Sequence, residues 1–190
     1  MAEPQVRRWT LAELETLPDH DGWILYEIID GELFDLHAAG YDHQETCALT
    51  GSALVVWNQQ AGLGSVFVGP GLTFSDDDNT IPDVVWVSHA RRAALEQADK
   101  KLHGAPELVA EVLSPGAENA RRDQDVKLRL YGRRGVDEYW LMDPATRMVQ
   151  VFRLVNGALV LAATLGEAET LASPVLPGFA AVVARLFPAK

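Results

Sequence analysis

Two carboxylates and one amine carry the chemistry that this sequence makes available. Glu111 stands inside Leu108–Leu113, a short apolar run closed by Ser-Pro-Gly, the pattern of a strand buried on both faces. An unpaired carboxylate there costs several kcal/mol or is forced neutral. Either Glu111 has a cationic partner, or the strand has one wet face. Val109 and Leu113 share its face, which favours the partner. Asp83 sits near the start of a second apolar run, Ile81–Val87, whose Pro82 belongs at the first positions, where no ladder donor is needed. If the two runs are neighbouring strands, their carboxylates converge. Two carboxylates and a backbone carbonyl suit Mg²⁺, which takes oxygen ligands and keeps several waters. Such an ion polarises a phosphate and lowers the pKa of a bound water. Alone, Asp83 reads as a solvated strand entry; it is the combination that points to a site.

The amine is Lys127. Residues Ala120–Tyr131 read as a helix ended by Gly132. At about 100° per residue, Lys127 lies about 40° from Asp123, and both fall inside the arc of Val126, Leu130 and Tyr131. A solvated helix keeps charges off that arc. The alternative is an i, i+4 Asp–Lys pair at the stripe's edge, with Lys127 snorkelling to water. The preferred reading aims the lysine at the sheet, towards Glu111.

The elements that must position these groups follow from the rest of the chain. Its 190 residues are 48% hydrophobic, with five Trp; this excludes a disordered chain and suits one domain spanning 1–190. No apolar run reaches the roughly 18 residues of a membrane helix. The N-terminus lacks an apolar h-region, and the single cysteine, Cys47, fits a reducing compartment. A cytoplasmic protein is expected. The net charge of −11 argues against simple electrostatic capture of nucleic acid. Residues 121–134, however, hold six basic groups against Asp123 and Asp125. That reads as a solvated basic helix, or as a surface suited to a phosphate-bearing substrate.

Thr10–Leu17 carries a capping box, with Thr10 as N-cap and Glu13 three residues on. Asp19–Gly22 reads as a turn. Strands at Trp23–Ile29 and Glu32–Leu36 flank Asp30-Gly31, a two-residue hairpin pattern. Asp42–Gln60 reads as a helix whose apolar residues are Leu49, Ala53, Val56 and Trp57, stopped at Gly62. Short strands are expected at Val66–Val68 and Leu72–Phe74. The acidic run Asp76–Asn79 reads as a solvated turn rather than a cation loop. Ser88–Lys101 is a polar, helical connection. Glu138–Met142 and Met148–Leu154 form another hairpin, and Leu159–Thr164 completes the sheet edge. This predicts an α+β domain with a mixed sheet.

Five motifs in order carry a resemblance: Asp-Gly-Glu-Leu at 30–33, Ile-Pro-Asp at 81–83, Glu-Val-Leu-Ser-Pro at 111–115, Lys127 with Tyr131, and Glu-Tyr-Trp-Leu-Met-Asp-Pro at 138–144. Over roughly Tyr26–Leu154 the chain resembles the Uma-type restriction endonucleases of the PD-(D/E)XK nuclease superfamily. The resemblance implies a restriction-endonuclease-like core, about 42–154, with an N-terminal β-hairpin extension. It implies a Mg²⁺-dependent endonuclease acting on DNA, with Mn²⁺ as a substitute ion. Asp83, Glu111 and the carbonyl of Val112 would be the metal ligands, and Lys127 the catalytic lysine. Where the superfamily motif has a lysine two residues after the second acid, this chain has Leu113, so the match is to the variant whose lysine has moved to the following helix. A further Glu assists in many members; Glu45, Glu27 and Glu32 are all candidates. The expected partners are DNA and a second copy of the chain, without a membrane. The competing reading is a non-catalytic nucleic-acid-binding or oligomeric module that keeps the fold.

Other reactive residues read as structural. The five histidines, His20, His37, His43, His89 and His103, show no close metal-ligand pairing, which argues against zinc. Ser114 lacks a nucleophile elbow, and Cys47 is expected to be packed within its helix.

Overall fold

A computed structural model describes residues 7–14, 16–17, 25–36, 38–116 and 121–189. The turn expected at 19–22, the strand start at 23–24, the helix start at Ala120, and His20 and His37 lie outside the described residues.

The architecture is mixed α+β, as the sequence predicts, but with two main sheets rather than one. The larger has six strands in the order β11-β10-β9-β8-β6-β3: β3 Gly64–Val68, β6 Val84–Ser88, β8 Leu108–Val112, β9 Glu138–Asp143, β10 Met148–Val155 and β11 Ala158–Leu165. The smaller has the order β2-β1-β5-β4-β7, from β1 Leu25–Ile29, β2 Glu32–Leu36, β4 Leu72–Ser75, β5 Asp78–Thr80 and β7 Leu102–His103. A short C-terminal pair, β12 Thr170–Ala172 and β13 Ala180–Val182, stands apart from both. Three helices complete the fold ahead of the site, α1 Leu11–Leu14, α2 Tyr41–Ala61 and α3 His89–Leu95. Half of the capping box forms: the Thr10 backbone N–H donates to the Glu13 carboxylate, and the Thr10 hydroxyl donates to that same carboxylate oxygen.

β8 lies between β6 and β9 and is buried along its whole length. Its alternate residues feed different cores. Leu108, Ala110 and Val112 pack with Cys47 and Leu54 of α2 and with the C-terminal segment, whereas Val109 packs with Val126, Leu130 and Tyr131. Glu111, two residues after Val109, belongs to that second face.

β8 and β9 are parallel, so a crossover must join them. It contains a π-helical stretch, Arg122–Lys127, running directly into α4, Leu128–Arg134. The helix does not stop at Gly132 but at Gly135, whose φ of 89° accommodates the left-handed cap. Gly132 serves packing instead: a Cβ there would meet the Leu159 nitrogen at 2.9 Å. Its absence lets α4 rest on the β10–β11 hairpin.

Two other expectations change. α2 has the expected extent, yet it buries His43, Thr46, Cys47, Thr50, Gly51 and Leu54, while Val55 and Val56 are exposed. Its inner face is small and polar because it covers the site as well as the core. The acidic run is a turn only at Asp76 and Asp77. Asp78 enters β5, buried between Arg133 and Arg134. The Asp30-Gly31 hairpin is as predicted, with φ of 54° and 74°, the left-handed pair of a type I′ turn.

Candidate active site

The register Val84↔Ala110 between antiparallel β6 and β8 places Asp83 beside Glu111. The two interrupted apolar runs are therefore neighbours. The backbone N–H of Asp83 donates to Glu111 Oε2 at 3.3 Å, and that of Val112 donates to Asp83 Oδ2 at 2.8 Å. Each acid is held by the other's strand.

Lys127 reaches the same point from the crossover. Its Nζ lies 2.9 Å from Glu111 Oε1, 2.8 Å from Glu27 Oε1 and 3.8 Å from Asp123 Oδ1. Glu111 thus has the cationic partner its position demands, and Tyr131 adds a second bond, its hydroxyl donating to Oε1 at 2.8 Å. Lys127 and Asp123 both face inward, although the turn that carries them is π rather than α. Such turns recur at functional sites.

Among the three candidate glutamates, Glu27 is the one brought in. It is fully buried, whereas Glu32 and Glu45 are exposed. Its Oε1 also accepts from the Ile81 N–H at 2.8 Å. Glu27 Oε2 has no hydrogen-bond partner among the described residues; Arg122 Nε stands 3.7 Å away and bonds Asp123 Oδ1 at 3.0 Å. β1 lies outside the expected 42–154 core, yet it supplies this acid.

His43 is the residue that sequence reasoning missed. Its Nε2 lies 3.2 Å from Asp83 Oδ2, and its Nδ1 lies 3.5 Å from Cys47 Sγ. The signal available was the i, i+4 spacing of His43 and Cys47 on one helix face. Val112 contributes its N–H as described.

His43, Cys47, Asp83, Glu111, Arg122 and Lys127 line a cleft of about 360 Å³ with Gln44, Ser114 and apolar residues such as Ile81; Glu27 and Asp123 are buried against Lys127 and are not part of that lining. Charge balance explains its electrostatics. Glu27, Asp83, Glu111 and Asp123 oppose only Lys127 and Arg122, a formal −2. Burial pushes the Glu111 carboxyl up to about 8, with Asp83, Asp123 and Glu27 adding and Lys127 opposing. Burial also disfavours a charged Asp83, but the bonds from His43 and the Val112 N–H outweigh it and hold that carboxyl below its ordinary range. For Lys127, burial works against the ammonium, and Glu111, Glu27 and Asp123 overcome it, holding its pKa well above the usual value. The pair thus contains one carboxylate settled in its charged form and one, Glu111, whose ammonium partner does not outweigh burial and the neighbouring acids.

A hard divalent ion fits this donor set. The oxygens are carboxylates, the buried cluster is short of positive charge, and one oxygen of Glu27 is unsatisfied.

Among the basic residues of 121–134, four are engaged internally: Arg122 and Lys127 in the cleft, Arg133 and Arg134 on Asp78. The segment is therefore not a free cationic strip.

The family model described as "Uma2: Putative restriction endonuclease" matches residues 11–184. No curated protein matches the chain. Among solved structures, one described as a putative nuclease belonging to DUF820, from Anabaena variabilis ATCC 29413, is similar over 93% of this chain and 96% of its own. The TM-score is 0.72 at 18% sequence identity, a likeness of fold. No helix among the described residues is long and apolar enough to cross a membrane.

Proposed function

The chain belongs to the Uma2 family, described as putative restriction endonucleases, and from that premise we propose that it is a Mg²⁺-dependent endonuclease hydrolysing DNA phosphodiester bonds. The observation that carries this reading is the buried Glu27–Lys127–Glu111 contact beside Asp83, a cluster with excess negative charge that adjoins the cleft.

Asp83, Glu111 and the carbonyl of Val112 would hold Mg²⁺, with Mn²⁺ as a substitute; the ion would supply Lewis acidity and an activated water. The chain's own groups do the rest. Glu111 and Glu27 fix the Lys127 ammonium in place and keep it charged. So held, it orients the attacking water and offsets charge that develops on the phosphate, a contribution made mainly in the transition state. Tyr131 donates to Glu111 Oε1 and steadies its rotamer, leaving Oε2 on the Asp83 side. His43 and the Val112 N–H do the same for Asp83.

The acidic chain and its internally paired cations favour one second reading, a binding module without catalysis. A dimer remains part of the proposal. It is supported by the outer strand β11, where Val160 and Leu161 are each about half exposed.

The test is cleavage of single-stranded, double-stranded and branched DNA with Mg²⁺ or Mn²⁺, paired with thermal unfolding. Wild type should cut at least one substrate and gain stability from the ion, about 2.7 kcal/mol at a hundredfold excess over Kd. Asp83→Asn should lose both effects. A metal-stabilised wild type that cuts none of the three would favour the binding module; an unchanged ion response in Asp83→Asn would move the site elsewhere.

A further inference from the structure

His43 and Cys47 sit one turn apart on α2 and present their ring and thiol to the same side. Asp83, at the entry to β6, meets them there. One ligand atom from each lies within 4.8 Å of the other two, and all three residues line the cleft, which gives an ion a route in. The set differs in kind from the carboxylates deeper in the site. A sulfur and an imidazole nitrogen select borderline and soft ions, whereas Mg²⁺ takes oxygens. Three protein ligands with a fourth position left to water is a familiar arrangement for Zn²⁺. The Val112 N–H bonded to Asp83 Oδ2 supplies the outer support such a ligand requires.

We propose that His43, Cys47 and Asp83 form a second metal site, taking a thiophilic divalent ion of the Zn²⁺ type and competing with the hard-ion site for Asp83. The competition rests on the function proposed above; the binding does not. Other uses of the trio fit less well. Cys47 is buried, and burial, then Asp83 and Glu111, push its thiol well above the ordinary range, the opposite of what a nucleophile needs. On coordination the thiol loses its proton to solvent, the sulfur becomes a thiolate ligand, and one proton is released per ion bound. The imidazole gives up one of its present contacts, to Cys47 or to Asp83, and turns a ring nitrogen to the ion. An ion so placed engages the carboxylate that the Mg²⁺ site needs, so the chain would be inhibited by Zn²⁺ while still folded.

Titration of the metal-free protein with Co²⁺ tests this directly, because a Co²⁺–thiolate bond absorbs in the near ultraviolet. Wild type should develop that band, saturating at one ion per chain; Zn²⁺ should abolish it, while Mg²⁺ should leave the saturated band in place but raise the Co²⁺ concentration needed to half-fill the site. Cys47→Ala should lose the band, and His43→Gln, which keeps the thiol, should weaken binding. Glu111→Gln should retain it, separating this site from the hard-ion site. No band in wild type, or a band that survives in Cys47→Ala, overturns the proposal. The readout needs no nuclease activity, so an inactive protein leaves it decisive.

Discussion

Two polar clusters in this molecule use the same residue types and reach opposite states. Around Asp78, two acids meet two guanidinium groups: Arg133 bridges Asp30 and Asp78, and Arg134 grips Asp78 and Ser75. The Asp30 N–H completes the shell at 2.7 Å. Charge balances, and each oxygen of Asp78 is bonded. At the cleft, four acids meet two cations, and one oxygen of Glu27 stays without a hydrogen bond. The first cluster joins β1–β2, β5 and α4. The second tolerates a charge deficit that folding alone would not favour. Buried ion pairs mark function only when their charges or hydrogen bonds do not close.

That contrast can be broken. The largest effect is expected from Arg133→Ala with Arg134→Ala, which strands a buried Asp78. The loss should approach the roughly 3–5 kcal/mol typical of an orphaned buried charge, measured by denaturant unfolding. In the intact cluster the charges close, so Asp78→Asn should leave the Mg²⁺-induced stabilisation of the protein unchanged. A Mg²⁺ response lost in Asp78→Asn would erase the distinction between the clusters.

Lys127→Ala probes the other side. It should cut DNA about 10²–10³ more slowly, or about 2.7–4 kcal/mol in barrier height, compared where both proteins are folded. It also removes the cation between Glu27, Glu111 and Asp123, so the metal-free variant should unfold more readily and regain part of that stability with Mg²⁺. Cleavage at the wild-type rate would leave Lys127 a purely structural ion-pair partner.

The smallest effect, taken over any one pH unit, is a slope. Glu111 has a folded-state pKa of about 8 against an ordinary 4.5. Below pH 4.5 the carboxyl is protonated folded or unfolded, and the contribution of this one group to stability is at its fullest. Between 4.5 and 8 the native state retains a proton that the unfolded chain has released, so metal-free stability falls as pH rises, by at most about 1.4 kcal/mol per pH unit. Above 8 the loss is complete. Glu111→Gln should flatten this slope, and Mg²⁺ should weaken it in wild type. Equal slopes in wild type and variant would show that Glu111 is compensated after all.

Much of this was legible in the sequence. The Asp30-Gly31 turn, the buried strand around Glu111 and the inward aim of Lys127 each follow from local periodicity and the cost of an unpaired buried acid, whereas the adjacency of the Asp83 strand was a condition that the β6–β8 register met. Asp78 was not, because a run of acids looks solvated until the arginines some 55 residues later are folded against it. The α2 face was read only in part. Ala53 and Trp57 pack against the core as expected, but Val56 faces outward, and the side that covers the site is built of Thr, Cys and His.

The sequence by itself determined which residues share a face, because a side chain's direction follows from its position in a strand or helix. It favoured a cationic partner for Glu111 over a wet strand face, and an inward Lys127 over one snorkelling to water. Only the tertiary structure decided what lies across from each face. It chose Glu27 over Glu32 and Glu45 through the pairing of β1 with β5, which sets Glu27 over the Ile81 N–H. It brought His43 and Cys47 of α2 onto Asp83, and it closed the Asp78 cluster away from the cleft. These contacts join segments dozens of residues apart, and no local spacing encodes them; they exist because two sheets and a crossover helix must bury their apolar faces together, and the polar groups caught between them take whichever partners that packing supplies.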